Sequence, residues 1–422
     1  MKRTLSLIAT TLLTLVLALT LSAPAASAQN TEAQYTRPAG KAGINMFEPG
    51  KTDNVGFKGL GVKIGGAFAQ QFQSLTNENS ATPNIVDGTD LNAPEAITGG
   101  FNLATANLVF DVQLADGIKV NLVSYLSSRH HQETWVKGGF LQIDKLPWEN
   151  EALSSLMEIT TVRAGHFEVN YGDGHLRRTD NGNAIYNPFV GNYLMEAFTT
   201  EIGMEVFIQK NGLLGMLAVT GGEVKGNVAD DNKRAPSIIA KLGVDKQIND
   251  DLRVRLTGSM YSTAKSASNT LFSGDRGGAR YYNTLGGSDW SSRINPSLRN
   301  DVKAFVINPF VKFQGLEFFG TFESASGSDK DVTQFAADLI YRLGASEDFY
   351  VAARYNQVSG ELIGDGTDVS VDRIQIGAGM FMTENVLMKL EYVSQNYNDY
   401  PTSSIFSEGR FKGLMIEGVV AF

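Results

Sequence analysis

The 422-residue sequence contains no cysteine, which excludes a disulfide framework and any catalytic or metal chemistry based on a thiol. Histidine is almost as scarce, since the sequence has 4 and no G-x-S-x-G motif lies near them. A serine hydrolase needs a base beside its nucleophile, and adjacent histidines such as His130 and His131 point to opposite faces of a strand. We therefore expect no enzyme activity, no cofactor and no metal site.

Long apolar runs are also missing, apart from one at the start of the chain. Lys2 and Arg3 precede an apolar run over residues 5–21, and Ala26-Ser27-Ala28 follows it. This order is typical of a secretory signal peptide, so we predict that residues 1–28 are cleaved. A membrane anchor helix is the alternative, but the small-residue site directly after the run favours cleavage. Beyond residue 28, no apolar run approaches the roughly 18 residues of a spanning helix.

Positive charge is in deficit. The sequence has 36 basic and 45 acidic residues, a net charge of −9. Loss of Lys2 and Arg3 with a signal peptide would change this value to −9 − 2 = −11. Binding to double-stranded DNA depends on Lys and Arg that neutralise phosphates. We therefore expect no nucleic-acid partner.

Apolar and polar residues alternate in many segments of the sequence, most clearly in residues 411–422. Leu414, Ile416 and Phe422 belong to one apolar row, and Glu417 lies in the other row. A period of two predicts a β-strand whose two faces meet different environments. The segment resembles the last strand of Gram-negative outer-membrane barrels, whose terminal aromatic residue is part of the signal read by the assembly machinery. The resemblance implies that role for Phe422.

The same rhythm recurs from residue 59 onward, with 44 glycines and 24 phenylalanines in the whole sequence that suit sheet rather than helix. Long polar segments alternate with tight turns such as Asp116-Gly117 and Asn211-Gly212. We predict an all-β fold: a transmembrane antiparallel β-barrel of about 16 strands, with short periplasmic turns and long external loops. The sheet must close, because open edges are not tolerated in lipid. A barrel of about 16 strands leaves an aqueous channel.

Some segments fit this rhythm less well. Residues 29–58 are predicted to be a periplasmic N-terminal segment, either a loose lead-in tucked into the barrel mouth or a small interaction segment. Residues 59–422 form the predicted barrel. Within it, residues 134–144 and 158–171 alternate poorly, and residues 213–221 are apolar on both faces, so their orientation stays open.

Charged residues occupy the polar row of many predicted strands. They should point to water, because a lipid-facing Arg or Lys costs roughly 2–4 kcal/mol at mid-membrane. We predict a wet pore wall of mixed charge, and the alternative is a set of paired charges that only stabilise the wall. The predicted pore-wall residues are Lys63, Lys119, Glu205, Arg253, Arg255, Asp338, Arg342, Arg354, Arg373, Lys389 and Glu391.

One predicted external loop, residues 172–199, is too long for a simple turn, and loops of this length are usually functional or disordered. It contains apolar residues such as Phe189 and Leu194 that need a packing partner. We predict that the loop folds into the barrel and narrows the pore; the alternative is an external loop with solvated charges. The predicted constriction residues are Asp173, His175, Arg177, Arg178, Asp180 and Glu196.

The strand over residues 162–171, followed by Gly172-Asp173 and an Arg- and Asp-rich loop, resembles the corresponding region of the phosphate-selective porin O and P family. That resemblance implies a sixteen-stranded, commonly trimeric, water-filled barrel with a basic ladder and a lysine cluster for anions. Arg177 and Arg178 match the basic character of the loop. The sequence departs from the family in its inward-facing acids, which are about as numerous as its bases.

The sequence therefore predicts a porin in the outer membrane of a Gram-negative bacterium. It would let small hydrophilic solutes or ions diffuse through a water-filled barrel. The expected partners are outer-membrane lipid, the barrel-assembly machinery and the diffusing solutes, together with the homotrimer that the resemblance implies. The alternative is a closed or plugged barrel with an adhesion or surface-binding role.

Deletion of Phe422 should impair insertion, because the resemblance places the final aromatic residue at the periplasmic interface, where it is read during assembly. The measurement is the yield of heat-modifiable, folded barrel in membranes. A normal yield from the deletion variant would show that the residue has no part in assembly.

Overall fold

A computed structural model describes residues 32–127, 134–148, 150–177, 181–223, 234–273, 280–286, 292–364 and 366–422. The predicted signal peptide, residues 1–28, lies outside these ranges, and so do His130 and His131. The architecture below is that of the compact unit Ala33–Phe422.

Sixteen antiparallel strands form a closed barrel in which the first strand pairs with the last, so the predicted fold class and strand number are confirmed. Two further short strands, β2 (Ile85–Val86) and β3 (Thr89–Asp90), form a separate hairpin. The barrel strands are β1 (Gly61–Glu78), β4 (Gly100–Ala115), β5 (Ile118–Ser127), β6 (Thr134–Ile143), β7 (Thr160–Glu168), β8 (Thr200–Lys210), β9 (Leu213–Glu223), β10 (Ser237–Gln247), β11 (Leu252–Thr263), β12 (Val302–Phe313), β13 (Leu316–Gly327), β14 (Lys330–Leu343), β15 (Phe349–Gly360), β16 (Val369–Thr383), β17 (Val386–Asn398) and β18 (Arg410–Ala421).

Helical structure is confined to short pieces. Helix α1 (Glu151–Met157) lies in the connection between β6 and β7, and α2 (Gly174–Arg177) follows β7. Single 3₁₀ turns occupy Gly40–Gly43 and Asn181–Tyr186. Within the described ranges, no helix has the length and apolar character needed to cross a membrane.

The alternation of the sequence appears in space as two faces. In β18, Leu414 and Ile416 are exposed on the outside, whereas Met415 and Glu417 are fully buried on the inside. The exposed apolar row continues around the barrel through residues such as Leu339 and Ile376. An outer surface of this kind matches a lipid environment, because apolar side chains face out and the backbone polar groups are paired between strands.

Strands β6 and β7 alternate poorly because their backbone is irregular. The register of β5 with β6 shifts between Val123 and Ser124. In β7, Gly165 has φ 143°, and a Cβ built there would lie 2.5 Å from the carbonyl oxygen of Gly139. Only glycine fits so close an approach. Strand β7 also ends at Glu168, before the predicted residue 171, because the chain then turns into the barrel.

Strand β9 is apolar on both faces for a simple reason. Leu217 and Val219 point outward and are exposed, whereas Leu214, Met216 and Ala218 point inward and are buried. The inward residues belong to a hydrophobic cluster formed inside the barrel. The unoriented strand of the sequence analysis therefore faces lipid on one side and a dry interior on the other.

The two ends of the barrel differ. At one end the strands are joined by tight turns, such as the one at Asn211 and Gly212, where both residues have positive φ. The C-terminal Phe422 lies at this end, where it and Gly66 exchange two backbone hydrogen bonds of 2.9 Å. The long connection from β7 to β8 lies at the opposite end, whereas the connection from β6 to β7, which contains helix α1, lies beside the tight turn at Gly117.

The assignment of inward and outward faces can be tested with two neighbouring residues of β5. Leu122 faces outward and Asn121 faces inward, toward a cavity. Leu122→Lys should cost about 2–4 kcal/mol, because it places a charge in lipid. Asn121→Lys should leave the barrel folded. Equal yields of heat-modifiable barrel from the two variants would mean that the register of β5 is wrong.

Candidate functional site

The interior of the barrel contains two segments that are not strands. The first is the N-terminal segment, residues 33–58, which enters from the end with the tight turns. The second is the inner loop, residues 169–199, which enters from the opposite end. Residues 178–180 of the inner loop are outside the described residues.

The N-terminal segment is held at several points of the wall. Phe47 is buried and meets Phe310 of β12 edge to face, with 5.4 Å between ring centroids. The side-chain amide of Asn45 donates to Glu317 of β13 at 2.7 Å. Lys51 pairs with Asp144 at 3.0 Å. The segment is therefore packed inside the barrel mouth rather than loosely placed beside it.

Four buried charges join the two segments to each other and to the wall; we call them the central ion cluster. Lys241 of β10 lies 2.6 Å from Asp173 of the inner loop and 2.7 Å from Glu48 of the N-terminal segment. Arg255 of β11 lies 2.8 Å from Asp173 and 2.7 Å from Glu48. Each carboxylate thus meets both cations, as buried charges require.

The cations keep both acids ionised. Burial raises the pKa of Asp173 and that of Glu48, but the charges of Lys241 and Arg255 outweigh burial and hold both pKa values below their usual range. A carboxylate with a lowered pKa stabilises the folded state above its unfolded pKa, near 4. The stabilisation from this cluster is therefore complete at neutral pH and is lost only in stronger acid, as the pH falls through the lowered values.

Backbone N–H groups in the second half of the inner loop donate hydrogen bonds to side chains of the wall. Glu391 of β17 accepts from the N–H groups of Val190 and Gly191 at 2.7 and 3.1 Å. Asn356 of β15 accepts from Leu194 at 2.6 Å. Buried backbone groups need such partners, so polar side chains of the wall replace the hydrogen bonds of a sheet.

Three wall cations bind the carbonyl groups of the same stretch. Arg373 donates to Asn192 at 2.8 Å, Lys389 to Ala184 at 2.7 Å, and Arg354 to Gly191 at 3.2 Å. Two of these cations also have carboxylate partners. Arg354 pairs with Asp338 at 2.6 Å, and Lys389 pairs with Glu417 at 2.6 Å. These charges hold the inner loop against the wall.

Most predicted pore-wall residues are therefore buried against protein instead of lining water. Lys63 and Arg253 are half-buried, and the others have almost no accessible surface. The buried members are Lys119, Glu205, Arg255, Asp338, Arg342, Arg354, Arg373, Lys389 and Glu391. Six of them have an ion-pair partner, as in the alternative of paired charges: Glu205, Arg255, Asp338, Arg342, Arg354 and Lys389. Lys119, Arg373 and Glu391 instead bind uncharged groups.

The described constriction residues are also buried. His175 accepts or donates one hydrogen bond at each ring nitrogen, to Glu168 and to Asn170, both at 2.9 Å. Glu196 lies 3.5 Å from Arg280 of another loop. Asp173 belongs to the central ion cluster.

Arg177 lies apart from these residues, with its guanidinium 4.7 Å from the ring centroid of Phe319. It also donates to Asn45 at 3.0 Å. Arg178 and Asp180 are outside the described residues. Each described constriction residue thus fixes the position of the inner loop, and their side chains do not surround one opening.

Water-accessible inward positions occur on the other side of the barrel, along β4 to β7. Val109, Asp111, Asn121, Phe140 and Arg163 are all partly exposed there. We call these residues the open strip. They line a cavity of about 310 Å³ at the tight-turn end, between the wall and the N-terminal segment.

Sequence reasoning missed this strip as a site. Lys63 and Lys119, which line the same cavity, belong to the predicted pore wall, but the open strip itself gave little signal because β6 and β7 alternate poorly. The glycines that break the pattern, Gly138, Gly139 and Gly165, were the available hint. Gly138 and Gly165 belong to the same inward row as Phe140 and leave the interior without side-chain bulk beside the open strip.

Comparisons with known proteins find no family profile and no curated protein that matches the sequence. Solved structures match in fold. The anion-selective porin from Comamonas acidovorans gives a TM-score of 0.53 at 11% identity, over 86% of this chain and 100% of that one. Pseudomonas putida OprB gives 0.53 at 8% identity, over 86% and 94%. The outer membrane channel DcaP of Acinetobacter baumannii gives 0.50 at 10% identity, over 87% and 99%.

At this level of identity the matches show the fold alone. The fold is the closed sixteen-stranded barrel of outer-membrane porins, as predicted, and the outer-membrane origin of these neighbours agrees with the predicted location. The matches do not single out phosphate-selective porins among them.

The central ion cluster can be tested at Lys241. Lys241→Met leaves Asp173 and Glu48 buried with Arg255 alone, and breaking a buried pair costs about 3–5 kcal/mol. Thermal unfolding in detergent should therefore occur at a lower temperature. Lys246→Met is the matched control, because Lys246 lies in the same strand but is exposed. Equal unfolding temperatures in both variants would show that the cluster does not stabilise the fold.

Proposed function

We propose that this chain is an outer-membrane porin through which small hydrophilic solutes or ions diffuse passively. The passage runs along the open strip of β4 to β7. The observation that carries the proposal is the contrast between the two sides of the interior. Inward residues near the middle of β10 to β18, such as Lys241, Asp338 and Glu391, are inaccessible. Inward residues on β4 to β7, such as Asp111 and Asn121, meet open space.

This passage is narrower than the full barrel and lies off its axis. A barrel of sixteen strands is too wide to be filled by its own side chains. Here the inner loop and the N-terminal segment fill most of the remaining width. The inner loop therefore sets the pore size, and Asp173, His175, Arg177 and Glu196 act by holding it in place. The proposal involves no chemical step.

The finer resemblance, to phosphate-selective porins, implies a basic ladder that a solute can reach. Arg354 and Lys389 have carboxylate partners, and Arg373 is bound to backbone carbonyl groups. These cations are buried and cannot meet a solute. We therefore propose general diffusion rather than phosphate selectivity for the passage as a whole.

A specific observation favours a second candidate, the closed barrel with a surface-binding role. Leu271, Phe272, Tyr281 and Leu285 lie in external connections and are buried in the same hydrophobic cluster as the inner loop. Apolar packing of this kind can close the external end. Conductance separates the two candidates, because a closed barrel passes no current.

The partners proposed for the porin are outer-membrane lipid, the barrel-assembly machinery and further copies of the chain. The outward face of β1 and β5 to β7 carries Gln70, Ser124 and His166 at positions where other strands carry large apolar residues. Polar groups facing hydrocarbon are unfavourable. Contact between copies at this face would form the homotrimer.

Single-channel recording of the purified chain in a planar bilayer tests the proposal. We expect current in steps grouped in threes. Val109→Trp should lower the conductance at least twofold, because Val109 faces the cavity of the open strip. Val112→Trp, on the outward face of the same strand, should leave the conductance unchanged. The absence of any current from folded protein would favour the closed barrel, and equal conductance of the two variants would place the passage elsewhere.

A further inference from the structure

The tight-turn end of the barrel contains two cavities that differ in charge. The first, the mixed cavity, has a volume of about 500 Å³. The second is the cavity of about 310 Å³ along the open strip. Both are open to the same side of the barrel, but their basic residues have different surroundings.

Every basic residue that lines the mixed cavity has a carboxylate partner. Arg253 pairs with Asp245 at 2.7 Å, and Lys312 pairs with Glu347 at 2.8 Å. Lys41 pairs with Asp348. Arg342, the fourth, lies 2.6 Å from Glu317. The positive charge of this cavity is therefore neutralised within the protein.

The open-strip cavity is different. Four basic residues line it, and Asp111 is its one acidic lining residue. Arg163 is neutralised by Glu205 at 3.1 Å. Within the described ranges, Arg37, Lys63 and Lys119 have no carboxylate within ion-pair distance.

Hydrogen bonds to neutral groups hold two of these cations in place. Lys119 donates to the carbonyl oxygen of Tyr35 at 2.8 Å, and Arg37 donates to Leu176 at 2.6 Å. The guanidinium carbon of Arg37 also lies over the ring of Tyr186, 3.7 Å from its centroid. Burial lowers the pKa of Arg37 to about 10, so it remains charged at neutral pH.

An excess of positive charge on the lining of a cavity favours the binding of an anion. Three cations without carboxylate partners against the single Asp111 leave a net charge of 3 − 1 = +2 on the lining. Lys63 and Asp111 lie opposite each other in the β1–β4 register without forming an ion pair. The excess is notable because the sequence as a whole has a net charge of −9.

The remaining lining indicates what kind of anion fits. Val109, Phe140, Ala67 and Pro49 supply apolar surface beside the cations. The volume of this cavity, about 310 Å³, lies at the lower end of the range for small-molecule binding sites. It is larger than an inorganic ion needs. Ligand sites of this type combine an apolar wall with a few placed polar groups.

We propose that the open-strip cavity is a binding site for a small organic carboxylate on its way through the barrel. The carboxylate meets Lys63 and Arg37, with the almost fully buried Lys119 adding positive charge behind them, and the apolar body of the ligand lies against Phe140 and Val109. The inference rests on the proposed porin function and adds a substrate class to it. The N-terminal segment then has a role in function, because it supplies Arg37 and the carbonyl group that orients Lys119.

Calorimetric titration of the folded full-length barrel in detergent tests this site. Benzoate, benzamide and inorganic phosphate are the probes. We expect benzoate to bind, benzamide to bind at least about fivefold more weakly for want of a charge, and phosphate to bind more weakly than benzoate. Equal binding of benzamide and benzoate would overturn the role of charge. Phosphate binding as tight as that of benzoate would overturn the role of the apolar wall.

Three variants locate the site. Lys63→Gln should weaken benzoate binding about fivefold, and Asp111→Asn should strengthen it by a similar factor, because each changes the charge of the lining by one. Lys312→Gln, in the mixed cavity, should leave binding unchanged. Heat modifiability shows that each variant is folded. Unchanged affinity in both Lys63→Gln and Asp111→Asn would overturn the proposal.

Recording with the same protein keeps the two proposals apart. Current in chloride solution without benzoate binding would contradict the carboxylate site and leave the porin function standing. Benzoate binding without current would contradict diffusion through the barrel and leave the binding site standing.

Discussion

The structure depends on the need to pair every polar group that enters a dry interior. A closed sheet satisfies its own backbone, but the inner loop brings backbone inside the barrel that has no partner strand. Glu391, Asn356 and Gln334 therefore accept its N–H groups, and Arg373 and Lys389 bind its carbonyl groups. The inward polar side chains of the wall and the backbone of the inner loop supply each other's hydrogen-bond partners, so neither could be buried without the other.

The central ion cluster applies the same rule to charge. Removing ions from water costs several kcal/mol each, and only close opposite charges and further hydrogen bonds offset that cost. Asp173 and Glu48 come from two different segments, yet both meet Lys241 and Arg255. The positions of the N-terminal segment and of the inner loop are thus coupled through shared cations. Displacing either segment leaves the two buried wall cations with only the carboxylate of the other segment.

Local pattern was enough to predict the sheet. Period-two alternation located β18 and, with the tight turns, the number of strands, because side-chain direction in a strand depends only on adjacent residues. The interior could not be predicted in the same way. The partners of Asp173 lie in β10 and β11, far along the chain, and no local signal links them. The orientation of β9 stayed open for the same reason, since only the structure shows that Met216 and Ala218 face the dry interior. The open strip escaped prediction because glycines and a register shift interrupt alternation in β6 and β7.

The contacts of the N-terminal segment also constrain the order of folding. The backbone N–H of Lys41 donates to the carbonyl oxygen of Glu384, in the turn before β17, and Lys41 pairs with Asp348 in the turn before β15. These sites exist only after almost the whole chain has formed sheet, and contacts over such sequence distances form slowly. The N-terminal segment is synthesised early but therefore docks among the last parts of the chain, and its docking marks the completion of the molecule.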